Sequence, residues 1–164
     1  MSDNPDLKYS FLKRFDKAMN ELEQRFHWTR LGSHQYVTMT HEADKLIVFE
    51  RGDLVFIFNF HPHQSYEHYR IGTRFKTEHV ILLDSDAAEF GGFNRLAPAK
   101  GVFFPVMREK WQNRDNFIQL YIPHRTAIVL CAEENLAKYG LNINGRGAKE
   151  PTVNEVLAEL KIGE

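Results

Sequence analysis

The chain begins with a stripe of apolar residues at helical spacing. Between residues 7 and 26 apolar side chains recur every three or four positions, which places them on one face of an α-helix. The stripe consists of Leu7, Phe11, Phe15, Met19, Leu22 and Phe26. Pro5 suits a first helical turn, residues 2–4 offer capping side chains, and Leu31-Gly32-Ser33 marks the end. We therefore predict one helix in an N-terminal segment spanning residues 1–32.

Beyond this segment, apolar positions alternate with polar ones and are rich in β-branched and aromatic residues, which is the pattern of β-strands. The runs are residues 35–40, 45–50, 54–60, 66–71, 79–83, 102–107, 117–122 and 126–131. Arg51-Gly52-Asp53 lies between the second and third runs and predicts a tight hairpin turn. As a cell-adhesion tripeptide it would need an extracellular chain, and the start of the sequence resembles no export signal.

The whole region from residue 33 to residue 131 is expected to be one all-β domain. No helical spacing appears between residues 60 and 130, so an antiparallel β-sandwich is favoured over alternating strands and helices. Residues 54–60 are apolar at both alternating sets of positions. This run should therefore be a central strand that is covered on both faces.

Residues 132–164 form a tail of different composition, polar and glycine-containing in its first half. Thr152 and Glu155 have the spacing of a capping box, in which each side chain bonds the backbone N–H near the other. An apolar stripe accompanies them, at Val153, Val156, Leu157 and Leu160. The tail is therefore predicted to contain a short C-terminal helix that starts near Thr152.

Composition restricts the choice of partners and compartment. The 164 residues carry a formal net charge of −1, with 43% hydrophobic and 13% aromatic residues. No basic field exists for nucleic acid or anionic lipid, and no apolar stretch approaches the roughly 20 residues of a membrane span. Cys131 is the only cysteine. We expect a soluble, cytoplasmic domain without disulfides and without nucleic-acid or membrane partners.

Two motifs resemble metal sites. His61, His63 and Glu67 have an H-x-H-x3-E spacing that can place two imidazoles on one strand face, but Pro62 interrupts such a strand. Asp84 and Asp86 follow an apolar run as a D-x-D, which holds divalent ions in nucleotide-sugar transferases, but no βαβ pattern accompanies it. A loop and a turn are the favoured structures, and no metal or cofactor is expected.

Residues for catalysis and sugar binding are few. Glycosidic chemistry needs two carboxylates across a sugar, and Asp84, Asp86 and Glu89 form only a local cluster. Cys131 ends an apolar run and is expected to be a buried thiol. Trp28 should belong to the core, whereas Trp111 lies in a polar stretch. We therefore take Trp111 as the candidate platform for stacking on a sugar ring.

Four blocks of the sequence together resemble eukaryotic-type 1,4-α-glucan (glycogen or starch) branching enzymes. They are residues 7–20, residues 45–72 with their Phe-Asn-Phe-His-Pro segment, residues 83–96 with Asp-Ser-Asp and Gly-Gly, and residues 121–130. The first block resembles the helix that leaves the catalytic barrel, and the others resemble the C-terminal domain. The resemblance implies a Greek-key β-sandwich of the α-amylase superfamily.

The resemblance also implies a role without catalysis. In the family the catalytic carboxylates come from barrel strands, and no motif of those strands occurs here. The chain is expected to support a catalytic barrel domain, in cis or in trans, and to contact α-glucan. The alternative is a free-standing glucan-binding or protein-interaction module. An exposed apolar patch is expected on the helix and one outer sheet face, for coverage by the tail, a second copy or the barrel.

Overall fold

The computed structural model describes residues 7–141 and has a helix at each end of an all-β body. Helix α1 spans Tyr9–Phe26 and the short helix α2 spans Glu133–Leu136. The strands are β1 Gln35–His41, β2 Leu46–Arg51, β3 Leu54–Asn59, β4 Tyr66–Thr73, β5 His79–Asp84, β6 Phe103–Phe104, β7 Asn116–Ile122 and β8 Thr126–Ala132. Among these residues no helix is long and apolar enough to cross a membrane.

The strands form two antiparallel sheets. The large sheet has six strands in the order β1-β2-β3-β8-β5-β6, and the small sheet pairs β4 with β7. Strand β8 lies between β3 and β5 and runs antiparallel to both. As in Greek-key sandwiches, this returning strand lies beside strands far from it in sequence. The predicted antiparallel β-sandwich is confirmed.

The large sheet is covered on both faces. On one face, Val55 and Ile57 of β3 belong to a buried cluster with Ile71 and Ile118 of the small sheet. We call this side the inter-sheet face. On the other, the helix-side face, Phe56 belongs to a second cluster with α1. The buried helix residues are Ala18, Leu22 and Phe26. The alternation of apolar side chains along β3 thus supplies two cores.

Strand β3 is central, as predicted, but the coverage of its helix-side face ends before the strand does. Phe56 is fully buried, Phe58 is half-buried, and Phe60, just beyond the strand, is 61% exposed. The prediction of double coverage is therefore correct for Leu54–Ile57 and wrong at Phe60. On this face Phe56 belongs to the same cluster as the buried residues of α1, and Phe58 packs against that cluster.

Two predicted boundaries differ from the structure for identifiable reasons. The run 102–107 is a strand only at Phe103–Phe104, because Pro105 has no N–H to donate to a ladder. Met107 then pairs with Phe117, so the chain passes here from the large sheet to the small one. Helix α1 ends at Phe26, where His27 adopts a left-handed conformation and its N–H bonds the Glu23 carbonyl at 2.7 Å.

The segment after β8 packs into the body. Helix α2 follows the strand directly, and Leu136 and Leu141 are buried in the helix-side cluster. The predicted helix near Thr152 and its apolar stripe lie outside the described residues.

Candidate functional site

The D-x-D motif holds a loop together. The Asp86 carboxylate accepts hydrogen bonds from the backbone N–H of Phe93 at 3.1 Å and of Arg95 at 2.8 Å. The guanidinium of Arg95 adds bonds of 3.0 Å and 2.9 Å. Burial raises the pKa of Asp86, but the bonds from Arg95 and Phe93 outweigh it and hold this pKa below its usual value. The predicted turn, in which acidic side chains bond nearby N–H groups, is confirmed.

Gly92 is required by the same loop. A Cβ at this position would lie 2.2 Å from the Asp86 carbonyl oxygen, so only glycine fits. The N–H of Asn94 donates to that carbonyl at 2.6 Å. Residues 84–96, which we call the clamp loop, are thereby closed on themselves by both the side chain and the backbone of Asp86.

Arg95 also links the clamp loop to the turn before β8. Its guanidinium donates to the His124 carbonyl at 2.9 Å and lies 3.0 Å from His124 Nδ1. Ser65 Oγ lies 2.9 Å from the same nitrogen. Because arginine only donates, this arrangement requires an unprotonated ring nitrogen toward Arg95. Burial, followed by the charges of Arg95 and Arg125, lowers the pKa of His124.

Asp84 is buried next to a small cavity. Its Oδ1 accepts the N–H of Asp86 at 2.8 Å, and burial raises its pKa to about 6. The cavity measures about 10 Å³ and is lined mainly by apolar side chains, including Ile81 and Leu96. With Asp86 committed to Arg95 and Glu89 exposed, the cluster does not form the opposed carboxylate pair of a glycosidase.

The histidine motif forms a turn. His61 Nδ1 accepts the backbone N–H groups of His63 at 3.1 Å and Gln64 at 2.8 Å, so this nitrogen is occupied. Glu67 is exposed on β4. Within residues 7–141 no cluster of three or more His, Cys, Asp or Glu side chains has the arrangement of a metal site. The predicted loop is confirmed.

Trp111 stands at the corner of a tight turn. It is 36% exposed, and the Arg70 guanidinium lies 5.0 Å from its ring centre. The turn is anchored on β4, since the Gly72 N–H donates to Gln112 Oε1 at 3.0 Å. Trp28, in contrast, packs 5.0 Å from Phe56 against the helix-side core, as predicted. Trp111 thus presents a partly exposed indole whose ring already contacts a cation.

The side chains of Asp53, in the Arg-Gly-Asp turn, and of Cys131 both interact within the domain. Asp53 accepts bonds from Lys138 Nζ and the Tyr139 hydroxyl, both at 2.7 Å. Burial raises the pKa of Asp53, and these two bonds lower it below the ordinary value. Cys131 is fully buried, and burial raises the pKa of its thiol, as expected of an inert side chain.

A buried carboxylate on the inter-sheet side was not predicted from the sequence. Glu50 is fully buried, and its Oε2 lies 2.7 Å from Arg114, 2.8 Å from His34 and 3.2 Å from Arg74. The inward direction of this side chain could have been predicted, because Glu50 shares the period-two positions of Leu46 and Val48. Its partners could not have been predicted, because they come from separate parts of the chain.

Exposed apolar side chains gather on the helix and on the helix-side face of β1 to β3. Leu12 of α1 is 65% exposed and Phe60 is 61% exposed. Others in the same two regions are Leu7, Tyr9, Val37 and Ile47. Exposed apolar side chains are therefore present on the helix and on the outer sheet face, the two places where the apolar patch was predicted. Phe93, in the clamp loop, is also exposed, at 80%.

The described residues define an all-β domain whose charged clusters serve to hold turns and loops. A family model described as the alpha amylase C-terminal all-beta domain matches residues 36–133. This chain belongs to that family. The match begins in β1 and ends just after β8, so it covers both sheets.

Curated relatives agree with this assignment. The chain is 46% identical over 134 residues to the 1,4-alpha-glucan-branching enzyme of Saccharomyces cerevisiae, covering 82% of this chain and 19% of the relative. It is 49% identical over 124 residues to that of Eremothecium gossypii, covering 76% and 17%. With Dictyostelium discoideum the identity is 44% over 127 residues, covering 77% and 18%. The chain thus spans under a fifth of each relative's length, and the predicted resemblance is confirmed.

Proposed function

We propose that this chain is the non-catalytic C-terminal domain of a 1,4-α-glucan branching enzyme, acting in cytoplasmic glycogen or starch biosynthesis and supporting a catalytic barrel domain. The observation that carries this proposal is the 46% identity to such an enzyme over 82% of the chain. The carboxylates of the clamp loop support it, because Asp86 is paired with Arg95 and Glu89 is exposed.

The exposed flank of α1 is the proposed contact with the barrel. Ala18, Leu22 and Phe26 in the second half of this helix are buried, whereas Leu12, near its start, is 65% exposed. Tyr9 lies one turn before it and is also exposed. Interfaces between domains of one chain bury roughly 600 to 1,500 Å², so exposed apolar residues of this kind suit contact with a neighbouring domain.

Co-purification tests the supporting role. The chain is expressed with the Saccharomyces cerevisiae branching enzyme lacking the region that this chain matches, and the complex is assayed for branching by the iodine spectrum of amylose. The wild-type chain should co-purify and restore branching. Leu12→Asp should reduce both, and Lys13→Asp, at a neighbouring exposed residue, should reduce neither. Failure of the wild-type chain to co-purify, or retention of binding by Leu12→Asp, contradicts the proposal.

A free-standing glucan-binding module is the second candidate, and the partly exposed Trp111 favours it. Native electrophoresis through a gel containing soluble glycogen measures this directly. Retardation of the isolated chain that is lost in Trp111→Ala and kept in Phe93→Ala would support binding through Trp111. Equal migration of wild type and Trp111→Ala would remove Trp111 from the site.

A further inference from the structure

A row of near-parallel aromatic rings leads from the helix-side core to the surface. Phe49 stacks 5.1 Å from Phe56 and 5.7 Å from Phe58, with interplanar angles of 10° and 15°. Phe58 in turn stacks 5.7 Å from Phe60, at 7°. Burial decreases along β3, and Phe60 at the end of the row is 61% exposed. Its ring is supported by Phe58 and remains accessible to a further flat, apolar face.

Phe60 forms part of the wall of an open depression of about 450 Å³ beside the β1–β2 hairpin. Leu46 and Ile47 add apolar surface, and the polar side chains of the lining are Thr40, His41, Glu42 and Lys45. This volume lies within the roughly 300 to 1,000 Å³ of small-molecule sites. The charges of Glu42 and Lys45 are opposite, and Ile47 and Phe60 are apolar, so the lining favours an uncharged ligand with an apolar face over an ionic one.

The depression is rigidly built. The Phe60 N–H donates to the Lys45 carbonyl at 2.9 Å, which ties the ring to the hairpin. The preceding side chain, Asn59, is buried and donates to the Gln64 carbonyl at 3.1 Å. On the hairpin, Asp44 accepts the Tyr69 hydroxyl at 2.7 Å. A site whose walls are fixed before binding loses little conformational entropy when it is filled.

We propose that this depression binds an α-glucan chain, with Phe60 stacking on the apolar face of a glucose ring and the polar rim bonding its hydroxyl groups. The inference rests on the α-glucan ligand of the proposed function and assigns it a site separate from Trp111. A pyranose ring is flat and apolar on its face and carries hydroxyl groups at its edge. That combination matches an exposed aromatic ring flanked by Thr40, Glu42 and Lys45.

Affinity electrophoresis in glycogen, with maltoheptaose titration followed by nuclear magnetic resonance, tests the site on the full 164-residue chain. Phe60→Ala should weaken glycogen retardation about tenfold, as expected for loss of a central aromatic contact. Phe60→Trp should retain it, and Phe93→Ala is the matched exposed control. Maltoheptaose should shift the backbone resonances of residues 40–47 and 60. Unchanged circular dichroism melting of Phe60→Ala shows that the fold is intact.

Three results overturn the inference. Retardation that is lost only in Trp111→Ala places the glucan elsewhere and leaves the second candidate function standing. Absence of retardation in the wild-type chain removes glucan binding, while the co-purification assay still reports separately on the supporting role. A wild-type dimer on size exclusion that becomes monomeric in Phe60→Ala, with resonances of residues 40–47 unaffected by maltoheptaose, identifies the depression as a surface for a second copy.

Discussion

The two faces of the large sheet differ in how completely the chain covers them. On the inter-sheet face, Val48, Val55 and Ile57 are fully buried beneath the small sheet, and even the Glu50 carboxylate is enclosed. On the helix-side face, α1 covers the row at Phe56 and leaves Phe60 in solvent. The inter-sheet face is covered by the domain itself, whereas the helix-side face leaves apolar surface exposed to a ligand or partner. The following mutations separate the two.

Removal of the buried carboxylate should have the largest effect. Glu50→Ala leaves the half-exposed Arg74 and the more deeply placed Arg114 without their shared anion. Breaking a buried charge pair on one side typically costs about 3 to 5 kcal/mol of the free energy of unfolding. Urea titration measures this loss. Glu42→Ala, an exposed glutamate on the neighbouring hairpin, should stay within about 0.5 kcal/mol. Equal midpoints for both variants would mean that the Glu50 cluster contributes little stability.

Ile57 and Phe58 are adjacent on β3 and point to opposite faces of the large sheet, so their substitution compares the stability contributed by each face. Ile57→Ala should cost about 2 to 5 kcal/mol, because Ile57 is fully buried on the inter-sheet face. Phe58→Ala should cost less than a fully buried phenylalanine, about 2 kcal/mol, because Phe58 is only partly buried. The free energies come from denaturant titration. A loss at Phe58 that equals or exceeds the loss at Ile57 would show that the helix-side face is closed in solution.

A substitution at Asp84 in the clamp loop should change the stability of the fold by a smaller amount, and this change should depend on pH. Because the folded-state pKa of Asp84, about 6, exceeds its ordinary value of 3.8, the folded chain holds this proton more tightly than the unfolded chain. Stability from Asp84 is therefore present below about pH 4 and is lost as the pH rises through 6. Asp84→Asn keeps the acceptor for the Asp86 N–H and removes the charge, so it should stabilise the chain by about 1 kcal/mol at pH 7.

Thermal unfolding at several pH values checks the Asp84 variant. The advantage of Asp84→Asn over wild type should shrink toward pH 4, where wild-type Asp84 is protonated in both states. Ser85→Ala, in the same loop, should leave the pH dependence unchanged. An advantage for Asp84→Asn that is constant from pH 4 to pH 7 would mean that Asp84 titrates normally.

Local sequence patterns predicted much of this fold but few of the ion pairs and hydrogen bonds between its polar side chains. Alternation places Leu46, Val48 and Glu50 on one face of β2, and the turn residues around Gly52 mark the hairpin. The strand predicted at 102–107 was too long, and the end of β6 at Phe104 follows from Pro105 within that run. Glu50, however, meets Arg74 and Arg114 only because strands far apart in sequence come together, and no local rule encodes that pairing. The exposure of Phe60 could not be predicted either, because Phe60 continues the same alternating apolar pattern as the buried residues before it.

The structural role of a candidate residue could be predicted where its contacts are local and could not be predicted where they join distant parts of the chain. Asp86 and Gly92 form a local turn, so their structural role was predictable from spacing. Trp111 was selected for its polar surroundings, but its contact with Arg70 depends on the pairing of β4 with β7. Glucan contact through Trp111 stays a prediction. The depression at Phe60 became visible only when the hairpin of β1 and β2 was placed beside the end of β3.

The central claim is that this chain supports a branching enzyme without performing the chemistry itself. The most direct measurement is the iodine spectrum of amylose incubated with the purified chain alone. The account predicts no change in the spectrum, because branch transfer needs carboxylates on opposite sides of the scissile bond and Asp86 is already bound by Arg95. A change in the spectrum that disappears in Asp86→Asn, a variant confirmed as folded by circular dichroism, would contradict the claim.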